Sequence, residues 1–425
     1  MQESTQSLGL FPFTREQADE QYNPILWTRR LSSDELLPAH EQFVSERSAA
    51  YRDHIGSGRT VLPFGEGELA GEMDVYRPEG LPTDAPIVFY IHGGWWQWFS
   101  KELFGFLARS FNDQGYAVVL PGYRMAQDWQ NGAPMESIAA QMECALKVVL
   151  EQAEASGARA VHVIGHSAGG HLAALLHRTD WTALGLSEVA QSKLTSVVSL
   201  AGVFDLRPLV DTYVNDGIGM TMEAAERVSP QRLPAPVPDR CPLHLVLPEY
   251  DTSEFFRQTK DYQEKLLRAG AECHLHVAAA RDHLDMIERL ADPGDELLGY
   301  LLRSLARAEV LAASRDWIAS FNAGDVATCA GTYTVDAVMH AAPVGTFEGR
   351  DAIEGFWTKF TSDTGATDLR YGDVQIVVES PSRAVLSATW SMNVGRGIIT
   401  KELWVRQSDG AWRLEDDRFE VQEQF

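Results

Sequence analysis

From about residue 60 to residue 300, short apolar runs alternate with longer stretches in which apolar residues recur at intervals of three and four. "PIVFYIH", "YAVVLP", "ARAVHVIG", "TSVVSLAG", "PLHLVLP" and "ECHLHVA" are nearly continuous in apolar residues rather than alternating. Such runs suit strands buried on both faces, and their separation by helical stretches predicts a mostly parallel sheet covered by helices. Met135, Ile138, Ala139, Met142, Ala145, Leu146, Val149, Leu150 and Ala153 share one face of a predicted helix. Ser253 to Ala269 predicts another, opened by a Ser or Thr cap. After about Ala306 the pattern changes. A helix over "AEVLAASRDWIASFNAGD" leads into a Gly-rich connection and a helix around "DAIEGFW". The alternating segments "GDVQIVVES", "RAVLSATWSMNV", "ITKELWVRQ" and "AWRLEDDRFEV" then predict antiparallel strands, with Ser408-Asp409-Gly410 as a hairpin turn. Two domains are therefore expected: an α/β domain over residues 1–306 and a smaller α+β domain over residues 307–425. No Pro- or Ser-rich linker separates them, so they are expected to be packed rather than loosely tethered.

Composition supports this division. A chain of 425 residues exceeds one typical core, and 45% hydrophobic residues describe a globular protein rather than a disordered one. The formal net charge of -24 opposes nucleic acid and anionic membranes as partners, since both would be repelled. The start, "MQESTQSLGLFPFTRE", lacks the basic region and apolar core of a secretory leader, and no apolar run is long enough to span a bilayer. A cytoplasmic protein is expected. Cys144, Cys241, Cys273 and Cys329 are scattered, without Cys-x-x-Cys spacing, and read as reduced packing residues.

The candidate chemistry begins where "ARAVHVI" runs into Gly165-His166-Ser167-Ala168-Gly169-Gly170 and a helical "HLAALLH". Gly-x-Ser-x-Gly between a strand and a helix is a nucleophile elbow, which pushes the serine hydroxyl out at the top of the sheet. A serine hydroxyl needs a base, and the base needs an orienting carboxylate. With the order Ser, acid, His, the acid is Asp251 just past a strand end, with Glu249 as its rival, and the base is His283 in the loop after the next strand. Asp282 and Asp285 read as loop or helix-start charges, and His274 and His276 as structural residues. "IHGGWWQWFS" supplies the remaining part. The oxyanion formed at an attacked carbonyl needs aimed donors, which the main-chain N–H groups of Gly94, Trp95 and Ala168 can provide, with Gly93 clearing space. No metal is expected, because His166 and His171 are five apart and no His-Glu-x-x-His occurs. His166 is expected to brace the elbow.

Together "HGGWW", "GHSAGGHL", "DTSEFFRQ" and "DHLDMIE", with "QYNPILWTRR" and "PFGEGELAGEMDVYRP" upstream, resemble the arylformamidases (kynurenine formamidases) over about residues 20 to 305. These are α/β-hydrolase enzymes that release formate from N-formyl-kynurenine. The resemblance implies Ser167 as nucleophile, Asp251 and His283 as its partners, a His92-Gly93-Gly94 oxyanion loop, a small aromatic formamide as substrate and no cofactor. Trp95, Trp96 or Trp98 would close the acyl side of the pocket; if Trp96 does so, Trp96→Ala should relax acyl-length preference. Two other readings stay open: a carboxylesterase or amidase for another small acyl compound, and a non-catalytic binding protein on the same scaffold.

The second block, through "WIASFNAGDVATCAGTYTVDAVMHAAPVGTFEGRDAIEGFW", resembles the SnoaL-like, NTF2-like cone fold. It departs from the isomerases of that family in having Ala342 where they carry an Asp, and Trp317 near their helical tyrosine. His340 could act as a base or line a pocket. The block is expected to bind a ligand or to join copies of the chain, as a homodimer.

Overall fold

The computed structural model describes residues 13–236 and 240–425. The first twelve residues, within the stretch read above as lacking a secretory leader, lie outside the described residues. Two compact units divide the chain, Met1–Leu298 and Gly299–Phe425. The division falls inside one continuous helix, Glu296–Asn322.

The first unit is built on an eight-stranded sheet: β1 (Arg59–Phe64), β2 (Gly71–Tyr76), β3 (Ile87–Ile91), β4 (Ala117–Pro121), β5 (Val161–His166), β6 (Leu194–Leu200), β7 (Leu243–Tyr250) and β8 (Cys273–Asp282). Their spatial order is β1-β2-β4-β3-β5-β6-β7-β8. β1 and β2 pair antiparallel, as do β2 and β4, and every later pairing is parallel. β3 to β6 are buried along their whole length, as continuous apolar runs predict. The helix predicted around Met142 spans Pro134–Ser156 and buries its apolar face. The one predicted from Ser253 spans Ser253–Arg268, and the Thr252 hydroxyl caps it by accepting the Phe255 N–H. β8 differs from expectation. It is an edge strand, with one neighbour, and only three of its ten residues are buried.

The second unit holds a six-stranded sheet of β9 (Tyr333–Ala342), β10 (Gly345–Glu348), β11 (Arg370–Ser380), β12 (Arg383–Met392), β13 (Gly395–Arg406) and β14 (Trp412–Gln424), in the order β10-β9-β14-β13-β12-β11. β11 to β14 form the antiparallel ladder that their alternation predicts. The expected Gly-rich connection is corrected here: it folds as the β9–β10 hairpin, and β9 pairs parallel with β14. "YTVDAVMHAA" was legible neither as a clean alternation nor as a continuous apolar run, because its outward residues mix Val335, Asp336 and Ala342. Tyr333, Ala337, Met339, Trp357, Trp390 and Trp404 are among the core of this unit. Among the described residues, no helix is long and apolar enough to cross a membrane.

Candidate active site

β5 ends at His166, and helix Ala168–Arg178 begins two residues later, leaving Ser167 between them at φ 55, ψ -117. A non-glycine residue with positive φ is strained, and here both neighbouring elements hold it in place. A Cβ at Gly165 would collide with the Gly169 carbonyl, and a Cβ at Gly169 with the Ile91 carbonyl. Glycines at both positions therefore let strand, elbow and helix approach closely enough to form this turn. Ser167 is buried yet lines a cavity of about 560 Å³.

Asp251 follows β7 and His283 follows β8, so adjacent parallel strands deliver both to the same end of the sheet. His283 Nδ1 lies 2.9 Å from Asp251 Oδ2, and the other Asp251 oxygen accepts the Thr252 N–H at 2.8 Å. Asp251 is thereby held at both oxygens, and an Nδ1–H that donates to it leaves His283 Nε2 free to accept a proton. Glu249, the rival acid, instead accepts the Ala280 N–H at 2.7 Å. His166 Nε2 donates to the His283 carbonyl at 2.8 Å. Burial, with the neighbouring His283 ring, holds His166 well below the ordinary imidazole range. It is a neutral brace between the elbow and the histidine loop.

The His92-Gly93-Gly94 loop leaves β3 beside this pair. A Cβ at Gly93 would lie 2.9 Å from Ser167 Cβ, and one at Gly94, where φ is 108, would collide with the Trp98 carbonyl. Trp95, Trp96 and Phe99 also have positive φ, at 48, 59 and 71. The Gly94 carbonyl accepts N–H bonds from both Gln97 and Trp98, at 2.9 Å each, which closes the turn. Among the described residues, the Gly94 and Trp95 N–H groups find no acceptor. Ala168, as the first residue of its helix, has no intrahelical partner for its own N–H.

The tryptophans separate by role. Trp95 and Trp98 line the cavity, whereas Trp96 is fully buried beneath it, edge-on to His171 with ring centroids 5.1 Å apart. His92 also lies under the loop, stacked between Tyr123 and Phe104. Burial pushes its imidazole down to about 4, so it is neutral. Neither side chain lines the cavity, and pocket contact passes instead to Trp95 and Trp98.

Sequence reasoning missed the opposite wall. Asn23, Pro24, Ile25, Leu37, His40 and Glu41 line the cavity. A charge cluster, in which Asp282, Glu288 and His40 are buried and Arg30 is partly open to solvent, ties this segment to the histidine loop. Arg30 donates to Glu288 through both terminal nitrogens, at 2.8 and 2.9 Å, and to Asp282 through Nε at 2.8 Å. Thr28 adds a bond to Asp282 at 2.6 Å, and His40 Nδ1 lies 2.8 Å from Glu288. Burial opposes the charge on Asp282 and Glu288, but these bonds outweigh it and lower both carboxyls below their ordinary range. Asp285, by contrast, is pushed up to about 6 by burial and by the charge of Asp282. Arg30 and Glu288 are 258 residues apart, a separation that leaves no periodic signal in the sequence.

With this geometry in place, relatives can be compared. Residues 73–231 match the family model BD-FAE, and residues 314–420 match that of the SnoaL-like domain. The kynurenine formamidase of Danio rerio is 31% identical over 299 residues, covering 69% of this chain and 98% of that protein. The kynurenine formamidase of Salmo salar is 32% identical over 304 residues, covering 69% and 97%. A crystal structure from Silicibacter sp. tm1040, described as a candidate thioesterase, is 24% identical with a TM-score of 0.53, covers 66% of this chain and 97% of its own, and shares the fold. The chain belongs to the kynurenine formamidase family of hydrolases, on an α/β-hydrolase fold.

Proposed function

We propose that residues 1–306 hydrolyse the formamide of N-formyl-kynurenine, or of a related N-formyl arylamine, to formate and the free amine. Ser167 Oγ attacks the formyl carbon while His283 Nε2 takes its proton, and Asp251 holds the imidazole in the required tautomer. The N–H groups of Gly94, Trp95 and Ala168 receive the oxyanion. His283 then returns the proton to the departing nitrogen, which leaves a formyl ester on Ser167. Water, deprotonated by the same histidine, cleaves that ester and frees formate.

The observation that carries this reading is the 2.9 Å contact between His283 Nδ1 and Asp251 Oδ2 at a cavity that Ser167 lines from a strained elbow. The names of the relatives supply the formamide. A formyl carbon carries only hydrogen, so Trp95 and Trp98 can crowd the acyl side without excluding it. The test compares kcat/KM for N-formyl-kynurenine and p-nitrophenyl acetate in wild type and Ser167→Ala. A strong formamide preference abolished by the substitution is expected; ester turnover without formamide turnover would keep the serine chemistry and discard the substrate.

For residues 307–425 we propose a ligand-binding role, with homodimer formation as the other use of the same fold. Sedimentation of the full chain settles the second point.

A further inference from the structure

The wall of the Ser167 cavity built by residues 23–41 holds polar groups that the proposed hydrolysis does not use. His40 and Glu41 are neighbours on the helix Ser33–Ile55, and Asn23 precedes the short turn Pro24–Trp27. All three line the cavity. His40 is fully buried, with Nδ1 2.8 Å from Glu288 Oε1 and Nε2 without any partner in the protein. A buried polar atom left unpaired costs free energy until a ligand or water meets it. Glu288 also accepts two bonds from Arg30, so it is an ionised acceptor and the shared proton belongs to His40 Nδ1. Nε2 then keeps a lone pair. Glu41 is exposed and Asn23 half-buried, and neither side chain makes a hydrogen bond or ion pair among the described residues.

The charges around this wall have one sign. No Lys or Arg is among the described residues that line the cavity, and residues 1–12 and 237–239 contain neither. Arg30 is held by Asp282 and Glu288, and Arg29 lies over the Tyr250 ring at 4.1 Å. The lining imidazole of His166 is neutral, as burial requires. A substrate carboxylate therefore finds no cation on this surface. An ammonium group is the opposite case, since it has three N–H donors and no acceptor. The Glu41 carboxylate, His40 Nε2 and the Asn23 amide oxygen are three acceptors for it. At about 560 Å³ the cavity falls within the usual range of small-molecule sites, so it holds an aryl ring together with a short side chain.

We propose that this wall selects arylformamides by an ammonium group on the side chain, bound among Asn23, His40 and Glu41, and makes no use of a neighbouring carboxylate. The inference rests on formamide hydrolysis at Ser167 and adds which end of the substrate is recognised.

The experiment measures kcat/KM at pH 7, on the full chain, for formamides of one skeleton. N-formyl-kynurenine carries both charges. 3-Ammonio-1-(2-formamidophenyl)propan-1-one carries only the ammonium, 4-(2-formamidophenyl)-4-oxobutanoate only the carboxylate, and 1-(2-formamidophenyl)propan-1-one neither. Loss of the ammonium should cost about tenfold, the value of one charged hydrogen bond discounted for solvent at Glu41. Loss of the carboxylate should change the value less than about twofold, and the compound with only a carboxylate should be the poorest. Glu41→Gln keeps the shape and removes the charge, so the ratio of the ammonium compound to the uncharged one should fall about three- to fivefold. Glu41→Lys should reverse the order of the two singly charged compounds. Glu41 is exposed, so neither substitution disturbs the core, and a ratio between substrates is independent of how much enzyme is active. A wild-type ratio near one, or a ratio unchanged in both variants, would overturn the inference, while Ser167-dependent turnover of the uncharged compound would still uphold formamide hydrolysis. No turnover of any of these compounds would overturn both.

Discussion

Each unit holds a buried carboxylate beside a cavity, and the two are partnered in opposite ways. Asp251 meets an imidazole nitrogen and a main-chain N–H. Glu402 and Asp417, opposite each other on β13 and β14, meet phenols, an indole and each other. A carboxylate facing a base keeps its charge and uses it to orient that base; one facing another acid keeps a proton and becomes a donor. The sharpest way to break this contrast is to make the two positions isosteric and neutral. Asp251→Asn should lower kcat for the formamide on the order of 10^4-fold, because an amide that donates to Nδ1 leaves the proton on Nε2, where it blocks uptake from Ser167. Asp417→Asn should leave that rate unchanged. A loss of less than tenfold for Asp251→Asn would remove the orienting role from Asp251.

A smaller effect is expected from the loop that faces Ser167. Gly94→Ala puts a methyl group against the Trp98 carbonyl at a φ that L residues rarely adopt, so the turn must shift and carry its N–H donors with it. Loss of one aimed donor costs roughly 10^2- to 10^3-fold in kcat. KM should move little, and the thermal transition should stay within a few degrees. An unchanged kcat would mean that the Gly94 and Trp95 amides do not receive the oxyanion.

Next in size is the clamp behind His283. Arg30→Met leaves the buried Asp282 and Glu288 without Arg30, at a cost of about 2 kcal/mol by denaturant unfolding, the buried-pair penalty being reduced because Arg30 is partly open to solvent. This substitution also tests whether the segment lining the far wall is held by charge. Loss of stability with kcat/KM retained would confine Arg30 to holding the fold, whereas loss of both would tie the His283 loop to that clamp.

The two units also differ in how much of each the residues announced. Gly165, Ser167 and Gly169 are adjacent in sequence because one tight turn needs all three, so local sterics write the elbow into five consecutive positions. Asp251 and His283 were legible because parallel strands deliver successive loops to one end of a sheet. The far wall and the Arg30 clamp were not, since a side-chain ion pair between distant segments imposes no spacing on either. The edge position of β8 and the folding of β9 were missed for a related reason: both depend on which strand lies alongside, a property of the whole ladder. Glu402 and Asp417 lay in plain view as charges in strands that alternate, and alternation alone placed no acid in a cavity. Only the register between β13 and β14 brings them face to face.

The smallest expected effect concerns the first unit's own pair of neighbouring acids. Asp282 and Asp285 share a loop, but Arg30, Thr28 and main-chain N–H groups compensate Asp282, which leaves Asp285 as the uncompensated member. Its carboxyl is pushed up from 3.8 to about 6, so the folded chain holds this proton more tightly than the unfolded chain. The sign follows from that difference. Below pH 4 both states are protonated and the group costs nothing; stability then falls as pH rises from about 4 to about 6, and the full cost persists above that. Asp285→Asn keeps the oxygen that accepts the Asp282 N–H and removes the charge, so it should stabilise the protein by about 1 to 2 kcal/mol at pH 8 after allowance for solvent screening. At pH 4 it should change nothing. Glu402→Gln removes a charge from a pair with no cation beside it and should give the larger gain of the two at pH 8. Equal gains would mean that the Arg30 clamp does not relieve the loop acids, and that the contrast between a compensated and an uncompensated acid pair does not hold.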